Sequence, residues 1–152
     1  MPDPATVSNS SCLIALELIG RLDLLRELYA TVTVPSAVAY ECGSRLPPWF
    51  YVQPVQNQVM VRTLRLGLGP GESEAIVLAS EVSAARLILD DRKVRRIAQQ
   101  LGLPVTGTLA FLLRAKQQAL IPNVRDVLDD LAAAEFRISD ALIQDTLRRA
   151  GE

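Results

Sequence analysis

Hydrophobic and polar positions along this chain change period repeatedly, and each change marks an expected element. Ala5–Ser8 is short, rich in small and β-branched residues, and reads as a strand. Leu13, Ile14, Leu16, Leu18 and Ile19 make an apolar helical segment that Gly20 ends, and Leu22–Leu28 forms a second short helix. Thr31–Val34 is β-branched almost throughout and reads as a strand. Pro35 suits the first turn of a helix reaching about Gly43. Pro47 and Pro48 break the chain, Trp49–Val55 is irregular or an edge strand, and Gln58–Leu66 is a short helix. The glycine-rich Gly67–Gly71 is a turn. Glu72–Val82 follows as a helix, with Ala75, Ile76, Ala79 and Val82 on one face. Arg86–Leu89 is a strand that runs into Asp90 and Asp91. Val94, Ile97, Ala98 and Leu101 stripe the next helix, which Gly102 stops. Leu103–Val105 is a strand and Thr108–Gln118 a helix. Val124, Val127, Leu128 and Leu131 keep helical register, and Ser139 caps a last helix to about Ala150.

Strands separated by helices imply right-handed crossovers and a mostly parallel sheet, an α/β fold with extra C-terminal helices. The length of 152 residues suits one domain spanning 1–152. With 49% hydrophobic and 22% charged residues, the composition excludes disorder, collagen and a coiled coil. The uncharged stretch Pro4–Leu16 is too short to span a bilayer, and Thr6, Ser8, Asn9, Ser10 and Ser11 make it too polar. No basic segment precedes it, so the expected location is the cytoplasm.

Charge and composition narrow the chemistry further. There is no histidine, which excludes Ser-His and Cys-His dyads, histidine general bases and imidazole zinc sites. Cys12 and Cys42 stand 30 residues apart without a CxxC pattern and read as buried thiols. Sixteen basic residues face 17 acidic ones, so bulk charge does not announce a nucleic-acid binder.

In an open α/β sheet, ligands bind beyond the carboxyl ends of the strands. The first strand ends in Asn9, Ser10 and Ser11. The second leads to Glu41, the glycine turn to Glu72, the next strand to Asp90 and Asp91, and the last to Thr106, Gly107 and Thr108. Acids converging there suit Mg²⁺ or Mn²⁺, and a bound ion could activate water against a phosphodiester. Each acid also has a structural reading. Glu72 and Glu74 complement a helix dipole in a first turn, and Asp91 caps a helix. Asp90 and Glu41 are harder to explain so, since both lie beside apolar residues. Arg92, Lys93, Arg95 and Arg96 follow Asp90 and either hold phosphates or form a solvated helix face. Trp49, Phe50 and Tyr51 either stack on a base or cover a core edge or dimer interface.

Five segments carry a resemblance: VSNSSCLIAL (Val7–Leu16), VPSAVAYEC (Val34–Cys42), GPGESEAIVLA (Gly69–Ala79), LILDDRKVRRIA (Leu87–Ala98) and VTGTLAFLLRAK (Val105–Lys116). In order and spacing they resemble the PIN-domain superfamily, in particular a subgroup of predicted nucleic-acid-binding proteins similar to VapC-type toxin ribonucleases. The resemblance implies a three-layer α/β/α sandwich with four to five mostly parallel strands. It also implies a cluster of acids that binds Mg²⁺ or Mn²⁺ and cleaves single-stranded RNA, or DNA in some relatives. Matched position by position, the family's first-strand acid falls on Asn9, its hydroxyl on Ser11, and its later acids on Glu41, Glu72 and Asp90, with Asp91 beside the last. The glycine-hydroxyl pair falls on Gly107 and Thr108. Asn9 stands where the family pattern has Asp, which removes one negative charge from the implied site.

The leading expectation is therefore a metal-dependent endoribonuclease, the toxin of a toxin–antitoxin module, with its site weakened at Asn9. Glu41, Glu72, Asp90 and Asp91 would be catalytic. Asn9, Glu41, Glu72 and Asp90 would hold the ion. Ser11, Arg92, Lys93, Arg95, Arg96 and Thr108 would contact nucleic acid. Expected partners are single-stranded RNA, an antitoxin protein and a second copy of the chain in a homodimer, with no membrane. The alternative is a non-catalytic PIN-fold module that binds nucleic acid or a partner protein.

Overall fold

Runs of two or three β-branched and aliphatic residues are weak strand formers alone. They become strands here because helices cover both faces of the sheet they build. The computed structural model describes residues 5–152. Pro4, at the start of the uncharged stretch, lies outside the described residues. In chain order the elements are β1 (Thr6–Ser8), α1 (Ser10–Leu18), α2 (Asp23–Tyr29), β2 (Thr33–Val34), α3 (Ser36–Cys42), β3 (Tyr51–Val52), α4 (Gln58–Leu64) and α5 (Pro70–Glu81). They continue with β4 (Arg86–Ile88), α6 (Arg92–Gln100), β5 (Val105–Thr106), α7 (Thr108–Gln117), α8 (Val124–Ala133) and α9 (Asp140–Arg149).

The five strands pair in parallel in the order β3-β2-β1-β4-β5. Val7 lies opposite Thr33 on one side and Leu87 on the other, and Ile88 opposite Thr106. Side-chain alternation then divides the core. Val7, Leu87 and Leu89 face a cluster with Ile76 and Leu78 of α5 and Val94 and Ala98 of α6. Ile88 and Val34 face a larger cluster with Leu13 and Leu16 of α1, Leu25 of α2, Phe111 and Leu112 of α7, and Leu131 of α8. The result is the expected three-layer α/β sandwich with helices added at the C-terminal end. Among the described residues no helix is long and apolar enough to cross a membrane.

Element boundaries move where side chains cap helices. α1 starts at Ser10, ahead of the apolar run, because the Asn9 side-chain oxygen accepts the Ser10 N–H at 2.8 Å. α5 starts at Pro70, inside the expected glycine turn, because Gly69 is the N-cap and Glu72 accepts the Gly69 N–H at 3.1 Å. β5 starts two residues later and ends one residue later than the expected strand. Leu103 N–H closes the end of α6 on the Ala98 carbonyl, and β4 sets the ladder by donating from Leu87 to Pro104 and from Leu89 to Thr106. Trp49 and Phe50 stack at 4.2 Å, with Phe50 buried, so this pair covers a core edge while Tyr51 is exposed on β3.

Candidate functional site

Parallel topology carries the ends of β1, β4 and β5 and the starts of α1, α6 and α7 to one edge of the sheet. Asn9 ends β1 there. It is 5% exposed, its N–H donates to the Ile88 carbonyl at 3.1 Å, and its side-chain oxygen is turned back to cap α1. The next residue, buried Ser10, donates its hydroxyl to Glu41 Oε2 at 2.6 Å, tying α1 to α3. Ser11, the hydroxyl matched from the sequence, is exposed.

Glu41 lies over the backbone of Gly71. A Cβ on Gly71 would stand 2.9 Å from both Cδ and Oε2 of Glu41, so any side chain there would make the carboxylate shift from this position. Glu72 closes the capping box at the start of α5. Glu74 reaches α3 instead, accepting the Ala37 N–H at 3.1 Å. Glu72 in the first turn of α5 and Glu74 in its second therefore serve two helix N-termini.

Asp90 follows β4. Its Oδ1 accepts the Thr108 N–H at 2.8 Å and its Oδ2 the Thr108 hydroxyl at 2.5 Å. Asp91 caps α6, accepting the Val94 N–H at 3.1 Å. Beneath them Cys12 is fully enclosed. Burial pushes its thiol up to about 12, the Asp90 charge adds to this, and a hydrogen bond with Thr108 opposes it. Cys42 is pushed up to about 11, first by burial, then by Glu41, against Arg45. Both are free, buried thiols and stay protonated at neutral pH, so neither is a nucleophile.

The cations of α6 shape the outer part of this edge. Arg95 lies against Gly107, its Nη1 2.6 Å from where a Cβ would stand. Arg92, Arg95 and Arg96 line a groove of about 360 Å³ with Asp90, Gln99 and Leu142. A neighbouring pocket of about 210 Å³ shares Asp90, Arg95 and Leu142 and adds Phe136 and Arg137. Lys93 is turned aside, donating to the Gly67 carbonyl at 2.9 Å. None of the four forms an ion pair among the described residues.

A PIN-domain family model, DUF3368, matches residues 5–152. The chain belongs to this PIN-domain family. A solved structure of a PilT N-terminus domain protein from the hyperthermophilic archaeon Sulfolobus solfataricus P2 is similar, with a TM-score of 0.52 and 21% identity over 73% of this chain and 92% of that one. At that identity the likeness is one of fold. No curated protein matches the chain.

The PIN fold does not bring a metal centre with it among the described residues. Among the described residues, no three or more His, Cys, Asp or Glu side chains group so that they could hold a metal ion. This corrects the expectation of Mg²⁺ or Mn²⁺ as cofactor and, with it, of an endoribonuclease, hydrolase or toxin activity. The physical reason lies in what each expected ligand already does. Asn9 carries no charge and caps α1, Glu41 is held by Ser10 over Gly71, Glu72 closes its own helix, and Asp90 is gripped by both donors of Thr108. Acids committed singly to separate donors do not form the converging oxygen shell that a hard cation requires. Thr108, expected at nucleic acid, has its hydroxyl committed to Asp90.

The sequence places Ser10 at the strand end without a partner and reads Glu74 only as complementing its own helix; it gives Gly71 no role beyond a turn, and none to Phe136, Arg137 and Leu142 of the C-terminal segment. Ser10 and Gly71 lie inside quoted segments, so their positions were visible. Their partners are 31 residues away for Ser10 and 30 for Gly71, and local pattern does not reach that far. Nothing local in the C-terminal helices signals that they fold back against Asp90.

Proposed function

We propose that this PIN domain is a non-catalytic module that binds single-stranded nucleic acid, RNA first, along the carboxyl edge of its sheet. The observation that carries the reading is the groove lined by Arg92, Arg95 and Arg96 beside Asp90. Guanidinium groups without carboxylate partners are available to backbone phosphates, and the adjoining pocket offers Phe136 for stacking a base. Ser11, exposed at the start of α1, is proposed as a further polar contact. The proposal takes residues 1–152 as one PIN-like domain, which the single sheet built from β1 to β5 supports.

The test is the double reversal Arg95→Glu/Arg96→Glu, with a short single-stranded RNA titrated over a range of salt. Each lost phosphate contact on a single strand should flatten the slope of log K against log salt by about 0.7. Weaker binding with a flatter slope is expected. Equal affinity and an equal slope in variant and parent would return these residues to a solvated helix face.

A second reading, a partner protein bound by this fold, is favoured by two side chains. Tyr40 and Leu66 are almost fully exposed, at 88% and 89%. An antitoxin-like protein or a second copy of the chain are the partners this reading proposes, the latter through exposed Tyr51 and Val52 on edge strand β3.

A further inference from the structure

A second basic concavity lies at the opposite, amino edge of the sheet. Arg86 opens β4 there, Tyr29 ends α2 just before β2, and Arg114 lies in the last turn of α7. With Arg26 they line a pocket of about 290 Å³ that also includes Glu27. Three guanidinium groups thus face one carboxylate in a chain whose net charge is −1. None of the three arginines forms an ion pair among the described residues, Glu27 included.

Arg86 is held in place before any ligand arrives. Its Nη1 donates to Thr6 Oγ1 at 2.7 Å, and its guanidinium carbon lies 4.3 Å from the centre of the Tyr29 ring. That ring packs in turn against Phe111, with centroids 5.9 Å apart. A guanidinium carries five N–H donors, so the bond to Thr6 leaves most of the fork unused. Burial raises the Tyr29 phenol pKa while Arg86 and Arg114 oppose the rise, so the phenol keeps its proton at neutral pH. The pocket thereby offers a fixed planar fork, two further exposed guanidinium groups, that of Arg26 lying 5.9 Å from the centre of the Trp49 ring, and a neutral O–H donor.

We infer that the pocket formed by Arg26, Arg86, Arg114 and Tyr29 binds a phosphate oxyanion. The guanidinium fork matches two oxygens of a tetrahedral phosphate, and fixing it against Tyr29 lowers the ordering cost of binding. Neutral polar ligands leave the three positive charges uncompensated. The phosphate belongs either to a free anion or to a nucleic-acid backbone, and both present the same oxygens. The site goes beyond the carboxyl-edge reading, since it shares no residue with that groove.

The experiment is isothermal titration of the full chain at constant ionic strength with inorganic phosphate, pyrophosphate and a short single-stranded RNA. It compares the parent with Arg86→Gln, Arg114→Gln and the Arg95→Glu/Arg96→Glu variant. Saturable binding of the small anions, weakened at least tenfold by Arg86→Gln and Arg114→Gln and unchanged by the α6 reversal, is expected if the source is a free anion. If the small anions do not bind and RNA affinity falls in Arg86→Gln and Arg114→Gln as well as in the α6 reversal, the source is a backbone phosphate. Arg114 is exposed and makes no hydrogen bond among the described residues, so its variant decides the matter should Arg86→Gln fail to fold. Absence of saturable binding by all three ligands, or equal affinity in parent and Arg114→Gln, would overturn the site. Binding lost only in the α6 reversal would also overturn it, while leaving the carboxyl-edge reading intact.

Discussion

Thr108 gives both its backbone N–H and its hydroxyl to one carboxylate, and that fixes what Asp90 is able to do. Thr108 is buried and Asp90 half-buried, so water does not readily replace a lost donor. Thr108→Val keeps the shape and the backbone bond but removes the hydroxyl. It should cost about 1.5–3 kcal/mol, the usual worth of a hydrogen bond to a charged group, read from the denaturant midpoint. A loss below about 0.5 kcal/mol would show that Asp90 does not depend on Thr108. Both residues stand out in the sequence, Asp90 after an apolar run and Thr108 after a glycine. Their mutual engagement does not, because 18 residues and a helix separate them. Gly71 makes the same point: its sequence neighbourhood suggests a turn, whereas its lack of a side chain makes room for Glu41.

At the scale of elements, helix ends do most of the joining. Glu152 reaches the start of α8, accepting the Val124 N–H at 2.7 Å and the Arg125 N–H at 3.0 Å, and pairs with Lys116 of α7 at 2.9 Å. A carboxylate at a helix N-terminus satisfies otherwise unpartnered donors and complements the dipole. Burial alone would raise its pKa, but these hydrogen bonds and the Lys116 charge outweigh it and hold the group down from the ordinary 4.5 to about 2. The lowered folded pKa means that the stabilisation is present above the unfolded value and is lost as pH falls through about 2. Stability of the parent should therefore decline between about pH 4.5 and 2. Glu152→Gln should lose about 1–2 kcal/mol at neutral pH and show a shallower acid decline. Identical acid profiles would mean that the carboxylate does not couple α7 to α8. The caps of α1, α6, α8 and α9 rest on Asn9, Asp91, Asn123 and Ser139, residue types that mark helix starts in any sequence. Glu152 is legible in no such way, since it caps a helix that begins 28 residues earlier.

At the scale of the whole molecule, the PIN fold is kept without the acids of the described residues grouping into a metal shell. A divalent ion that bound the native state would stabilise it by mass action. Millimolar Mn²⁺ should accordingly leave the melting temperature where it is, and a saturable upward shift would reverse the correction. Sequence alone determined the order of elements, the parallel α/β class and the family resemblance. Each of these rests on local signals — hydrophobic period, β-branched runs, caps and glycine stops — repeated at the right spacing. Sequence also placed Asn9, Asp90 and Thr108 at one edge of the sheet, because parallel strands separated by helices end on the same side. Only the tertiary structure decided which donor each of Glu41, Glu72 and Asp90 meets there. Ser10, Gly69 and Thr108 took them up one by one. Hydrogen bonding acts over about 3 Å, and a pattern along the chain specifies an edge of the sheet but not positions to that precision. The amino-edge arginines belong to the same class of fact. Arg26, Arg86 and Arg114 are scattered singly over the sequence, and they form a pocket only because α2, β4 and α7 bring the ends that carry them to one place.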